Sequence, residues 1–382
     1  MNRLFDFWHE YHFGVLALLI PLLLRTAATA DWPLVRGDIV GSGVAAVELP
    51  DSFDIPWQYK ASGDAGFEAT AVIADGVIYI GDTEGTFHAV RLADGAPVWV
   101  KQFDDTSFAA GAAVANGCLF VGDLSGVFRC LSTADGQQLW SHQLEGEIYA
   151  GPTTTEDKVL VTSESGMLAC FQAASGEPCW SPFKIDAPLR CSPTLSAGRV
   201  MLAGCDSQLH VIDAANGKQL GTVEIDGPTG ATAAMHEQRV YFGTESGTFF
   251  AIDVPPAADA QHAVAWTFRD PRRSQPIRTA AAVTRDVVVF GSQGKAIYAL
   301  DPQTGQLKWL VPTRARVESS PVIAGSRVVT ATTDGKLHVL DVATGEVKWQ
   351  YDAGGSFTAS PAVSNGRIVL GNTDGTLYCI GK

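Results

Sequence analysis

Residues 325–349 read GSRVVTATTDGKLHVLDVATGEVKW, and the fold turns on this stretch. Arg327–Thr332 alternates apolar and polar residues, Thr333-Asp334-Gly335 supplies a turn, and Lys336–Leu340 alternates again. Asp341-Val342-Ala343-Thr344-Gly345 makes a second turn, and Val347–Trp349 opens a third strand. Short Val/Thr-rich runs bounded by Gly and Asp turns are hairpin chemistry. The chain then repeats the pattern.

The tryptophan of that third strand recurs as Trp57, Trp99, Trp140, Trp180, Trp266, Trp309 and Trp349, at spacings of 42, 41, 40, 86, 43 and 40 residues. The long interval holds a degenerate copy in which Asp213–Leu220 is followed by Gly221 in place of Trp. A period of about 40–45 residues with four strands per unit is the signature of a β-propeller. The strand-turn-strand core occurs eight times, with second strands expected at Val77–Gly81, Cys118–Gly122, Val159–Thr162, Arg199–Ala203, Arg239–Gly243, Val287–Gly291, Arg327–Ala331 and Arg367–Gly371. The eighth core ends at Lys382 with no room for a Trp strand, whereas Asp54–Lys60 carries a Trp strand with no core before it. Pairing the two leaves no exposed edge in the array. The sequence therefore predicts one all-β, eight-bladed propeller over residues 54–382, its last blade completed by Asp54–Lys60.

Each unit begins with small residues around a proline slot: Ala150-Gly151-Pro152, Cys191-Ser192-Pro193, Ser319-Ser320-Pro321 and Ala359-Ser360-Pro361, with Ala71, Ala112, Ala233 and Ala281 at that slot elsewhere. Small residues suit a crowded centre, and a proline belongs at a strand end or an unpaired edge. Three positions before the slot stand Glu68, Ala109, Tyr149, Arg190, Gly230, Arg278, Glu318 and Thr358. Equivalent positions form a ring, so Glu68, Tyr149, Arg190, Arg278 and Glu318 are expected at the channel mouth. They are either a site for a polar ligand or peptide or a collar of mutually neutralising charges. The recurrent tryptophans are expected to plug the spaces between blades.

Residues 1–30 contain the apolar run Phe13–Leu24 followed by Ala28-Thr29-Ala30, which reads as a signal peptide too short to span a bilayer. No cysteine follows that run to carry a lipid. Residues 31–53 are an irregular lead-in expected to drape over the propeller, with Trp32 buried in a groove of the disc. Net charge is −14, and the first 30 residues contribute nothing to it, which argues against nucleic acid or an anionic membrane as partner. One loop opposes that balance: Arg269, Arg272 and Arg273 are either solvated or a partner contact. Of seven cysteines, Cys118/Cys130, Cys170/Cys179 and Cys191/Cys205 lie nearly opposite one another across expected hairpins. They are either cross-strand disulfides of an exported protein or small buried side chains, since Cys130, Cys170 and Cys379 fill a slot held by Ala89, Val211, Ala251 and Val339 in other units. His88, His210 and His338 share one third-strand slot, which suits repeat packing better than metal binding. No HExxH, GxSxG, Walker or CxxC motif is present.

The Asp-x-x-Thr-Gly-x-x-x-Trp element, as in Asp301–Trp309 and Asp341–Trp349, resembles the PQQ-like propeller repeat, and the likeness runs from Asp54 to Lys382. The resemblance implies one of two roles. Quinoprotein dehydrogenases of this kind hold pyrroloquinoline quinone (PQQ) and Ca²⁺ on the propeller axis. The BamB-like branch is a cofactor-free periplasmic scaffold for outer-membrane β-barrel assembly. Trp32-Pro33-x-x-Arg36-Gly37 is similar to the lead-in of many exported PQQ-like propellers. The chain lacks the vicinal cysteines and long insertions of many quinoprotein alcohol dehydrogenases. The expectation is accordingly a monomeric, non-catalytic exported scaffold, periplasmic or associated with the cell envelope, that takes no cofactor and binds envelope proteins or peptides. The alternative is a quinoprotein oxidoreductase acting on alcohols or sugars, with PQQ and Ca²⁺ over the Glu68/Arg190/Arg278/Glu318 ring.

Overall fold

The hairpin at 325–349 folds as Arg327–Ala331, Lys336–Asp341 and Val347–Asp352, preceded by a short inner strand, Val322–Ala324. A computed structural model describes residues 31–256 and 261–382, so the expected signal peptide at 1–30 lies outside the described residues. Eight four-stranded antiparallel sheets follow this plan, and the blade-completing strand is Asp54–Lys60 as the repeat count required. It pairs with Thr376–Gly381 through Trp57↔Cys379 and Lys60↔Thr376, which closes the ring. No helix among the described residues is long and apolar enough to cross a membrane.

The burial pattern explains the sequence pattern. Second and third strands are apolar almost throughout, as in Ile78-Tyr79-Ile80 and Phe87-His88-Ala89, because each blade is covered on both faces by its neighbours. Fourth strands lie on the rim and alternate, as in Val347–Asp352. Four inner strands begin directly after their proline, at Thr153, Thr194, Val322 and Ala362, where the missing N–H costs no ladder bond.

Six of the seven rim tryptophans, all but Trp349, bridge to the next blade. Trp57 Nε1 donates to Leu92 O (3.0 Å), Trp99 to Thr133 O (2.9 Å), Trp140 to Ala173 O (3.1 Å) and Trp309 to Val342 O (3.0 Å). The indole lies over the glycine of the neighbour's turn. At Gly95 a Cβ would stand 2.7 Å from Trp57, and the residue also takes the left-handed backbone (φ 74°), so glycine is required twice over. Blade four lacks its tryptophan, and the ring of His262 from the polar extension of blade five fills that place, 2.9 Å from where a Gly221 Cβ would be.

Residues 31–53 lie against the propeller, and much of their length runs along the channel-side edges of the inner strands. Trp32 pairs with Ile73, and Val114, Leu195, Met235, Val283 and Ile323 donate their N–H groups to Pro33, Ile39, Val40, Ser42 and Gly43. Val44–Ala45 then pairs in parallel with Ile323–Ala324. The physical reason is that eight inner strands present unpaired backbone groups toward the axis, and a buried N–H needs a partner. The lead-in supplies partners in six of the eight blades and blocks the channel.

Candidate functional site

The axis is lined by one residue per blade immediately before the proline slot: Thr70, Gly111, Gly151, Ser192, Thr232, Ala280, Ser320 and Ser360. Hydroxyls there link blade to blade. Ser192 N donates to Thr232 Oγ1 (3.0 Å), Ala280 N to Ser320 Oγ (3.0 Å), Ser320 N to Ser360 Oγ (3.0 Å) and Ser360 N to Thr70 Oγ1 (3.1 Å). The girdle is interrupted at Gly111 and Gly151, and Val35 of the lead-in packs into that gap, so close that a Cβ on either glycine would overlap it.

Arg36 follows Val35 and reaches across the channel. Its Nη2 donates to Ala281 O (3.0 Å) and Pro321 O (2.7 Å), two carbonyls of blades six and seven. Only 4% of the residue is exposed, and its Nε and Nη1 have no hydrogen-bond partner in the protein. Burial pulls its pKa down to about 10, against a smaller opposing pull from Asp38. Asp38 itself accepts from Ser42 N (2.9 Å) and Ser42 Oγ (2.5 Å), so it caps the lead-in turn and hydrogen-bonds no atom of Arg36. Val35 and Arg36 thus form the floor of an axial well of about 140 Å³.

Of the five collar residues expected at the mouth, the structure gathers Tyr149, Arg190 and Arg278 around this well; Glu68 and Glu318 do not line it. Glu68 is solvent-exposed, and Glu318 accepts from Gln293 Nε2 (2.8 Å). The charges balancing the arginines come from elsewhere: Glu164 with Arg190 (2.5 Å) and Glu245 with Arg278 (2.8 and 3.0 Å). Both glutamates sit in the turns between second and third strands, a ring that the proline-slot alignment missed. A hydrogen bond with Glu147 raises the Tyr149 phenol above its ordinary pKa. The mouth is open, with Tyr149 40% exposed and both arginine side chains more than half exposed.

The other sequence candidates lie away from the axis. Arg269 donates to Ser246 O (2.5 Å) and Arg273 to Gly294 O (3.0 Å), bracing neighbouring turns, while the Arg272 side chain projects into solvent. His88 and His210 each contact an aspartate, Asp82 and Asp206, at 2.9 Å, and His338 lies 3.4 Å from Thr332 Oγ1. All seven cysteines are free thiols here.

The axial residues fit Ca²⁺ poorly. That cation takes six to eight oxygens, carboxylates foremost. Three arginines and no carboxylate line the well, and no cluster of three or more His, Cys, Asp or Glu among the described residues could hold a metal.

The fold and site define a closed eight-bladed propeller whose axis carries the lead-in and whose open mouth holds arginine–glutamate pairs. A sequence profile described as outer membrane protein assembly factor BamB matches residues 125–319 and 312–381, and the chain belongs to that family. No curated protein sequence matches it significantly. Among solved structures, BamB from Moraxella catarrhalis superposes with a TM-score of 0.72 at 17% identity, over 87% of this chain and 98% of that one. Quinohemoprotein alcohol dehydrogenase from Comamonas testosteroni gives 0.76 at 15% identity, over 92% and 80%. A europium-containing methanol dehydrogenase gives 0.74 at 11% identity, over 92% and 98%. At these identities the likeness establishes the fold, which both binding proteins and enzymes use.

Proposed function

We propose that this protein is a non-catalytic scaffold of the cell envelope that binds other proteins through the disc faces and rim, in the manner its family description suggests. The observation that carries the reading is the blocked axis. Where the quinoprotein reading needs a seat for PQQ and Ca²⁺, the lead-in runs along the inner strands and places a guanidinium. The rim adds support. Val98, Val100, Leu139, Leu220, Val264, Leu307 and Val347 are exposed aliphatic residues on outermost strands. Such strands offer free backbone groups to an extended peptide, with side-chain contacts on alternate positions. Export follows from the expected signal peptide and the family's usual setting.

The test is reconstitution of the full chain with PQQ and Ca²⁺, followed by dye reduction with alcohols and sugars. The scaffold reading expects neither saturable quinone binding nor turnover. Saturable binding with substrate-dependent dye reduction would replace it by the oxidoreductase reading. A partner captured by the chain should bind the purified protein without quinone and lose affinity in Leu139→Asp or Leu307→Asp.

A further inference from the structure

We propose that the cavity between blades six and seven binds a phenol ring, whose hydroxyl donates to His338 Nδ1. The site stands whether or not the protein acts as a scaffold. Blade one shows the arrangement in completed form. His88, His210 and His338 share one third-strand slot, and the first two are covered by a ring from the preceding blade's outer strand. Tyr59 lies on His88 at 5.5 Å between ring centroids, and Phe183 on His210 at 5.6 Å. Both nitrogens of each imidazole are also hydrogen-bonded. His88 meets Asp82 through Nε2 and the Tyr59 hydroxyl through Nδ1, each at 2.9 Å. His210 meets Asp206 at 2.9 Å and Gln219 at 3.2 Å.

Blade seven keeps the histidine and loses its covering. Val311 stands where Tyr59 does, two residues after the rim tryptophan, and Thr332 stands where Asp82 does. The shorter side chains leave a cavity of about 240 Å³ lined by Val311, Thr332, His338 and the exposed Gln350. A cavity of about 150 Å³ already accepts benzene. Thr332 Oγ1 gives its proton to Asp334 Oδ1 (2.6 Å), so toward His338 Nε2–H, 3.4 Å away, it acts as acceptor. A proton on Nε2 makes Nδ1 an acceptor. Among the described residues nothing bonds that Nδ1, and the atom is not sealed in the interior. Burial holds the imidazole below its ordinary pKa of 6.5, which keeps it neutral at pH 7. The walls carry both signs of charge. Lys336 lies 3.9 Å from both Asp334 and Asp352, and Arg314 is exposed at the entrance, so the cavity does not select a charged ligand. It asks for a flat apolar body with one donor, which is what Tyr59 supplies in blade one. Two sources share that chemistry: a small free phenol, or the tyrosine side chain of a polypeptide lying on the rim.

Nuclear magnetic resonance on the full chain, followed on ligand resonances and on the His338 imidazole, tests the site. The probes are phenol, anisole, N-acetyltyrosinamide and N-acetylphenylalaninamide. Expected is saturable one-to-one binding of phenol or the tyrosine amide, with anisole and the phenylalanine amide about tenfold weaker than their hydroxylated counterparts because neither donates a hydrogen bond. His338→Leu should weaken the hydroxylated probes by about the same factor. Val311→Tyr rebuilds the blade-one arrangement from within, so it should abolish binding, and it serves should the leucine variant fold poorly. Tighter binding of phenol assigns a small molecule; tighter binding of the tyrosine amide assigns a polypeptide side chain. Absence of saturable binding by both hydroxylated probes would overturn the proposal. So would affinity unchanged in Val311→Tyr, or anisole binding as tightly as phenol.

Discussion

Replacing Trp57 by alanine opens the clasp between the last blade and the first. The indole covers the Gly95 turn of blade one and stands opposite Cys379 of its own blade. Its Nε1 donates to Leu92 O, a carbonyl that also accepts from Arg367 Nη1 (2.6 Å). Full burial of a tryptophan makes its truncation cost about 3–5 kcal/mol. Trp57 is only partly buried, which places Trp57→Ala near the lower bound, about 3 kcal/mol. Leu92 O keeps its arginine donor, so the lost hydrogen bond alone accounts for no more than about 1 kcal/mol. Trp57→Phe, which keeps most of the ring, should therefore cost about 1 kcal/mol.

Trp349 provides the internal comparison. Trp349 packs on Phe53 at 5.1 Å between ring centroids, not on a neighbouring turn glycine. Urea unfolding followed by fluorescence and far-ultraviolet circular dichroism supplies the readout, with coincident transitions as the check on two-state behaviour. A shift in midpoint for Trp57→Ala no larger than that of an exposed rim substitution would refute the clasp.

Three further outcomes follow from the same geometry. Gly111→Ala sets a methyl against Val35 and 2.8 Å from Thr70 O, so it should destabilise by about 1–3 kcal/mol in calorimetry, with partial recovery in Val35→Ala. Burial holds His338 below its ordinary pKa of 6.5, so the unfolded chain binds more protons there. Its share of stability is complete above pH 6.5 and is lost as pH falls from there toward the folded value; His338→Gln should flatten the stability–pH slope in that window. Burial pushes the Cys191 thiol up to about 12 and Cys379 to about 11, and raises Cys130 and Cys170 further. Since the thiolate is the nucleophile, iodoacetamide should leave these four unmodified in the native protein and reach them in urea, as counted by mass spectrometry; rapid native alkylation of Cys130 would contradict their burial.

The ring could be read from sequence because its parts are local and repeated. A Gly at φ 70–76° four residues before Trp99, Trp140, Trp180, Trp309 and Trp349, a proline before an inner strand and an apolar pair of strands between turns each have a steric cause visible in the residue itself. Asp54–Lys60 was placed by subtraction, as the strand one blade lacked. The axis was less accessible. Alignment by slot put Tyr149, Arg190 and Arg278 at one height, but it could not show that Glu164 and Glu245, on different turns, would turn toward the arginines in place of Glu68 and Glu318. The lead-in carries no repeat at all: its partners are backbone groups on six blades, which no side-chain pattern announces. Arg36 stood out only as part of a short motif. Blade four and blade five each depart from the consensus, but neither pattern announces that His262 covers the Gly221 vacancy.

The central claim, that the lead-in lies along the axis and seals it, is tested most directly by native-state hydrogen exchange at Val114, Leu195, Met235, Val283 and Ile323. Each of these amides faces the channel and is bonded only to lead-in carbonyls. Strong protection at all five, comparable to that of second-strand amides such as Val328, is the outcome expected. Exchange at the rate of open loops would mean that the channel edges face water, and the floor of the well with Arg36 would go with them.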